Sequence, residues 1–520
     1  MKNKKKWVSL VTAVAILTLV TSACTSKEKE GAASSVAPTP TSSEPAKIRM
    51  FMTDSSLPVP GGATMDDPTF KYAAQKTNTN LDVVFLPNGQ YDQQLKTRFA
   101  SGDMPDVVQG WGINGDLLVN DQLVPLDDYL NKYGPNLKKV IPQSAWDAVT
   151  RNGKIYAIPE AAKGNTKENR MLFVRKDWMD KVGIKEAPKT PEELLVLLRA
   201  FRDGDPNGNG KKDEIPYSAR ENFSWVENLL GMYGQTQYTV KYENNELIPG
   251  IITSNMKQGI GFIRQMVQEK LMDSEFLTNK RAIWEQKIQQ DLVGMWNHDP
   301  SLSWDWQDKL NKSLPGKGAD VIAIMTPRAP GVQNAGSKDL PINKTFVVTK
   351  KAKDPAAIVK FFDWLVTQEG QEFVNFGVPN VTYTKDNGKI NYNKQKDTDD
   401  KTAGWRPLSL NLVGFNEELL KVQLGDDKAV AKLKAAYEVG QKESIPDLLL
   451  GSNPFKSTQP EIGELNNGTT STMFLETASR IALGDKPLDY FDEFVKNYRA
   501  QGGNDLIKQA TEWYNANKKK

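Results

Sequence analysis

From Lys47 onward, strand-like and helix-like segments alternate, and this alternation restricts the fold more than any other feature of the sequence. Ile48–Thr53 reads as a strand, Asp66–Thr77 as a helix, Leu81–Leu86 as a strand, Tyr91–Ala100 as a helix and Asp106–Gln109 as a strand. Strands alternating with helices imply βαβ units and a parallel sheet, and ligands of such sheets gather at the carboxyl ends of the strands. Trp111 stands at that place, just past Val107 and Val108. At 520 residues the chain is several times the usual domain size, so at least two hydrophobic cores are expected.

A second constraint is the spacing of oxygen ligands between Asp205 and Glu214. Calcium takes six to eight oxygens, and an EF-hand loop supplies them from side chains at positions 1, 3 and 5 and a carbonyl at 7, with glycine at 6. With Asp205 as position 1, the sequence places Asn207, Asn209, Gly210 and the Lys211 carbonyl in register. Position 12 is Pro216 rather than a bidentate glutamate, so the remaining oxygens come from Asp213 and Glu214 and the loop is not a standard EF-hand. A solvated turn would use many of the same residue types. The expected ligand set is Asp205, Asn207, Asn209, Lys211, Asp213 and Glu214, holding one structural calcium ion.

The first 23 residues combine a lysine-rich start, an apolar run from Val8 to Val20 and small residues before Cys24, the pattern of a secretory leader. Residues 25–45 are Ser, Thr, Ala, Pro and Glu with almost nothing apolar, a composition that cannot build a core and reads as a disordered tether. The formal net charge is +3, and four of the cations, Lys2, Lys4, Lys5 and Lys6, sit in the leader. The remainder is close to neutral, which argues against nucleic acid as a partner. One histidine and one cysteine leave little material for a Ser-His-Asp triad or a Cys/His zinc cluster.

Several motifs together resemble the extracellular solute-binding proteins of sugar ABC transporters: Ser101–Val108, Leu123–Asp127, Gly153–Pro159, Leu172–Asp177, Asn343–Thr349 and Ala356–Glu369. Thr21–Cys24 is similar to a bacterial lipobox, and the calcium loop resembles that of alginate- and fructooligosaccharide-binding members. The resemblance implies a class II periplasmic-binding-protein fold of two α/β lobes, each a mainly parallel sheet flanked by helices, with sugar in the cleft between them. Lobe one is expected from residues 46–165 plus 328–400, and lobe two from 166–327 plus 401–520, including C-terminal helices such as Asp505–Tyr514. It further implies lipidation (palmitate) at Cys24, placement on the outer face of the cell membrane, an oligosaccharide ligand, permease subunits as partners and a monomeric, non-catalytic receptor.

Of the 12 tryptophans, Trp111, Trp225, Trp296, Trp304, Trp306 and Trp405 stand beside glycine or polar residues. A flat apolar face suits the C–H face of a pyranose, while adjacent polar groups bond its hydroxyls. Gly294–Asp299 resembles the segment that carries an aromatic from lobe two into the cleft of oligosaccharide binders, so Trp296 is expected to face Trp111. His298 is a candidate hydrogen-bond donor, and Arg406, next to Trp405, a candidate for pairing with an acidic sugar. For each, packing in a core is the competing reading. Aromatic platforms and calcium also suit a secreted polysaccharide-degrading enzyme or a sugar-binding adhesion module.

Overall fold

The computed structural model describes residues 44–518, apart from 62–63, 114, 164–165, 168–169, 415 and 466–469. The leader, Cys24 and nearly all of the tether lie outside the described residues.

Two sheets, each with its own hydrophobic core, divide the described chain into two lobes. The first sheet runs in the order Thr79–Leu86, Ala46–Thr53, Val107–Gly110, Ile342–Val348, Ala157–Ala161. Its first three strands pair in parallel, as the alternation with helices Pro68–Thr77 and Tyr91–Ala100 requires. The second runs Val321–Ile324, Met171–Arg175, Val293–His298, Ile215–Ser218, and only its last pair is parallel. Both sheets are therefore mixed rather than mainly parallel. In the first, the strand responsible is Ile342–Val348, which arrives from the other lobe and lies antiparallel to both its neighbours. Three passes of the chain join the lobes, and they run side by side: the Ala161 amide donates to the Leu412 carbonyl at 3.2 Å and the Ala162 amide to the Pro341 carbonyl at 3.0 Å.

The helix Pro191–Asp203 shows how sequence positions a functional segment. Thr190 caps it by accepting from the Glu193 amide, proline occupies its first position, and Leu194, Leu197, Leu198 and Phe201 fall on its buried face. Burying each of these side chains contributes about 1.5–3 kcal/mol. The helix is thereby fixed to the second core, and the loop that follows it starts from a rigid end and runs into the strand Ile215–Ser218.

The C-terminal helices Thr472–Leu483, Tyr490–Tyr498 and Asn504–Asn517 complete the second core, with Leu506, Ile507 and Ala510 buried and Trp513 and Tyr514 at its margin. The segment after residue 400 departs from the expected division. Trp405, Leu410 and Leu412 pack into the first core, so lobe one extends to at least Leu412. Trp405 stacks on Phe70 (centroids 5.3 Å, planes within 8°), and this aromatic contact holds the segment to lobe one. Among the described residues no helix is long and apolar enough to cross a membrane.

Candidate functional site

A cavity of about 570 Å³ lies between the lobes, walled by residues of both cores. From lobe one come Tyr91, Gln109 and Trp111, at the carboxyl end of the strand Val107–Gly110. The Trp111 ring is 50% exposed and held edge-on to Tyr91, with centroids 5.6 Å apart and planes at 88°. The Tyr91 hydroxyl lies within hydrogen-bonding distance of the Phe51 and Gln109 carbonyl oxygens, 3.1 and 2.7 Å away. Burial raises its pKa, and the ring is a fixed support for an exposed indole.

From lobe two come Arg170, Arg220, Trp225 and Glu227. Trp225 lies in a turn that follows the strand Ile215–Ser218 and holds three non-glycine residues at positive φ: Asn222 at 58°, Phe223 at 56° and Trp225 itself at 68°. Bulky residues rarely adopt this conformation, and such strain concentrates at ligand sites. The turn is held by the Arg220–Ser224 bridge and by the Tyr217 hydroxyl, which donates to the Trp225 carbonyl at 2.8 Å. Behind Trp225 stand Trp284, stacked with centroids 5.8 Å apart, and His298, at 4.5 Å. The Trp225 Nε1 and one Glu227 carboxylate oxygen are buried without a hydrogen-bond partner among the described residues. Both residues line the cavity, where a ligand can pair these two atoms. Burial raises the pKa of Glu227, opposed by Arg170 and by backbone amides.

The structure brings Trp111 and Trp225 to the same cavity and places the other expected sugar contacts elsewhere. Trp296 is fully buried against Phe173 and Trp306. Its strand lies inside the second sheet with every residue buried, so Trp296 serves the core rather than the cleft. His298 is buried among Trp225, Trp284 and Trp306, and burial reinforced by nearby cations, Arg170 first among them, pushes its pKa well below the usual imidazole range. A neutral ring supporting Trp225 from behind is its role here. Trp405 belongs to the first core, and Arg406, with no exposed surface, grips Asp397 with two prongs at 2.8 and 2.6 Å. An internal partner satisfies that guanidinium, so it does not reach a ligand. Arg170, Arg220 and Glu227 escaped the sequence reading. The signal for Arg220 and Glu227 was their position just beyond a strand's carboxyl end; Arg170 had none, because only the tertiary fold brings it to the cavity.

The loop after Asp203 takes the tight conformation its glycines permit, with φ of 45° at Asp205, 67° at Gly208 and 74° at Gly210. The amides of Asn209 and Gly210 donate to the two Asp205 carboxylate oxygens, each at 3.1 Å. The side-chain amides of Asn207 and Asn209 donate to Asp213 at 3.2 and 3.0 Å, and the Lys211 amide donates to the Asn209 side-chain oxygen at 2.7 Å. Among the described residues no group of three or more His, Cys, Asp or Glu side chains is drawn together tightly enough to hold a metal. Within the loop, however, both carboxylate oxygens of Glu214 are buried without a hydrogen-bond partner among the described residues, and burial, opposed by the backbone and reinforced by Asp205 and Asp213, raises its pKa. A carboxylate so placed fits a cation that would satisfy its oxygens and offset the repulsion.

Two α/β lobes with separate cores, walling one cavity with an aromatic from each side, define a two-lobed ligand-binding protein. The chain belongs to the bacterial extracellular solute-binding protein family, whose model matches residues 56–372. It is 30% identical over 300 residues to the fructooligosaccharide ABC transporter substrate-binding protein FusA of Streptococcus pneumoniae, a match covering 54% of this chain and about half, 53%, of that protein. It is 23% identical over 460 residues to the polygalacturonan/rhamnogalacturonan-binding protein YtcQ of Bacillus subtilis (86% and 88% covered), and 22% identical over 536 residues to the lipoprotein LipO of the same organism (99% and 99%). In fold it is similar to the alginate-binding protein AlgQ2 determined without calcium ion (TM-score 0.67, 21% identity, 91% of this chain and 98% of that one). It is also similar to an EF-hand mutant of FusA in complex with fructo-nystose (TM-score 0.64, 18% identity, 90% and 99%).

Proposed function

We propose that the protein is a lipid-anchored receptor on the outer face of the cell membrane, which captures an oligosaccharide between its lobes and delivers it to the permease subunits of an ABC importer. The observation that carries this reading is the pairing of an exposed Trp111 from one lobe with a strained, stacked Trp225 from the other across one cavity. Contacts from both lobes give a ligand differential affinity for a closed state, which is the only means by which binding can shift an open–closed equilibrium. FusA and YtcQ, the relatives named for carbohydrates, support the ligand class.

The anchor would be Cys24, outside the described residues, made the lipidated first residue after removal of residues 1–23; a lipoprotein among the relatives supports it. One acyl chain gives marginal anchoring, so a diacylglyceryl group is required. Asp205, Asn207, Asn209, the Lys211 carbonyl, Asp213 and Glu214 would hold one structural calcium, a reading supported by the orphaned Glu214 oxygens and by the calcium and EF-hand descriptions of the two fold neighbours. The receptor acts as a monomer without turnover, with no nucleic-acid partner. The test is a thermal-shift screen against plant and bacterial oligosaccharides, because a ligand that binds only the folded state adds RT ln(1 + [L]/Kd) to stability. A raised melting temperature with the sugar recovered intact supports the receptor; cleaved sugar would identify an enzyme instead.

A further inference from the structure

The strained turn that presents Trp225 runs directly into Glu227, the first residue of a short helix, Glu227–Gly231. Val226, between them, is fully buried in the second core and fixes both neighbours to that wall. Glu227 is only 6% exposed, yet it lines the cavity and keeps one carboxylate oxygen buried without a hydrogen-bond partner among the described residues. Gln237 stands on the same wall, 8% exposed. Its side-chain nitrogen donates to the Phe223 carbonyl at 3.3 Å, which ties it to the strained turn, and its side-chain oxygen has no partner among the described residues. Asn228, the next residue in the chain and not on the cavity wall, is by contrast paired twice: it donates to the Thr326 hydroxyl and accepts from the Asn297 side-chain amide, each at 2.8 Å.

Together with the Trp225 Nε1, these atoms offer a ligand one donor and two acceptors on a single wall. A carboxyl group can accept in either protonation state, so the burial that raises the pKa of Glu227 does not remove this role. A ligand group that answers both kinds of atom must itself donate and accept. A hydroxyl does so, whereas a carboxylate or an ether only accepts. Neighbouring hydroxyls of one sugar ring therefore match this wall, with the apolar face of the ring laid on Trp225. Closing the lobes takes water from these atoms, and an acceptor left unpaired in the closed site weakens binding.

We infer that Glu227 is a specificity-determining residue: it accepts a hydrogen bond from a hydroxyl of the sugar ring stacked on Trp225, and so selects a ring that carries a free hydroxyl at that place. This rests on the oligosaccharide reading and deepens it. The test is calorimetric titration with tri- to pentasaccharides, neutral (of fructose or of xylose) and acidic (of galacturonate), followed by the monodeoxyfluoro analogues of whichever sugar binds. Each analogue keeps the size of one hydroxyl and loses its O–H. Glu227→Met is expected to lower affinity roughly ten- to hundredfold, and Glu227→Gln to stay within about threefold of the parent. If Glu227 served only to offset the charge of Arg170, Glu227→Gln would fail as Glu227→Met does. One fluoro analogue is expected to bind the parent about tenfold or more weakly than the unmodified sugar, and to bind Glu227→Met as tightly as that sugar does. Glu227→Leu, a second apolar replacement, is checked alongside for an unchanged melting temperature and keeps the result readable if one variant misfolds. Apolar variants that bind as tightly as the parent, a loss that Glu227→Gln shares, or fluoro analogues that all bind like the sugar overturn this inference and leave the oligosaccharide receptor standing; silence from every sugar counts against both.

Discussion

Trp225 and Trp284 lie face to face, with ring centres 5.8 Å apart and planes within 11°, the first on the cavity wall and the second fully buried beneath it. The pair divides binding from folding. Trp225→Ala should abolish most sugar affinity with a smaller loss of stability than Trp284→Ala, because the Trp225 ring is only partly buried against the core. Trp284→Ala should lower stability by about 3–5 kcal/mol, the usual result of truncating a core aromatic. Paired urea melts and titrations distinguish the two effects.

Arg406 and Asp397 predict an effect of similar size from the loss of one charge. Neither has exposed surface, and they meet in a two-pronged pair reinforced by Arg406 Nε donating to the Val374 carbonyl at 3.0 Å. Arg406→Met leaves a buried carboxylate without its cation, which costs about 3–5 kcal/mol. Urea melts should show the double variant Arg406→Met/Asp397→Leu recovering part of that loss.

These two cases also show where the sequence was legible. The strand expected at Leu81–Leu86 and found at Thr79–Leu86, and the helix Tyr91–Ala100, stood out because local pattern and final structure agree, and Trp111 could be placed from the rule about strand ends. The oxygen spacing of the loop from Asp205 to Glu214, the basis of the proposed calcium site, was readable in the sequence alone. The Gly294–Asp299 segment, with glycine, asparagine and aspartate around its tryptophan, was expected to reach the cleft, yet it overlaps an interior strand in which the Asn297 side-chain amide donates to the Asn228 side-chain oxygen at 2.8 Å. Arg406 was misplaced for the same reason, since its partner Asp397 could be identified only once the chain was folded.

Glu214 makes the calcium loop testable by pH as well as by chelation. Its pKa is raised in the folded protein, so the folded state holds more protons than the unfolded one above the ordinary glutamate range, and without calcium stability falls as pH rises through that window. Calcium should reverse this at neutral pH. Differential scanning calorimetry should show a melting temperature that falls with EDTA in the parent, while Glu214→Gln is more stable than the parent in EDTA and gains little from added calcium.

Lys344 links the passes between the lobes. It is paired in register with Glu160, its ammonium donates to the Leu408 carbonyl at 3.0 Å, and Asn343 donates to Glu160 at 2.8 Å. Burial, opposed by Glu160, lowers its pKa to about 8. Between about pH 8 and the ordinary lysine value near 10.4 the unfolded chain binds more protons, so this residue makes stability rise with pH. Urea midpoints for the parent and Lys344→Met at about pH 8 and about pH 10 should show that increment in the parent and its absence in the variant.

The most direct test of the account is small-angle scattering of the protein with and without a saturating sugar from the acidic and neutral panel, for the parent and for Trp111→Ala. The account predicts one intact sugar bound per chain, a smaller radius of gyration on binding, and loss of both in Trp111→Ala at an unchanged melting temperature. Sugar binding that leaves the radius of gyration unchanged and is insensitive to Trp111→Ala would contradict it.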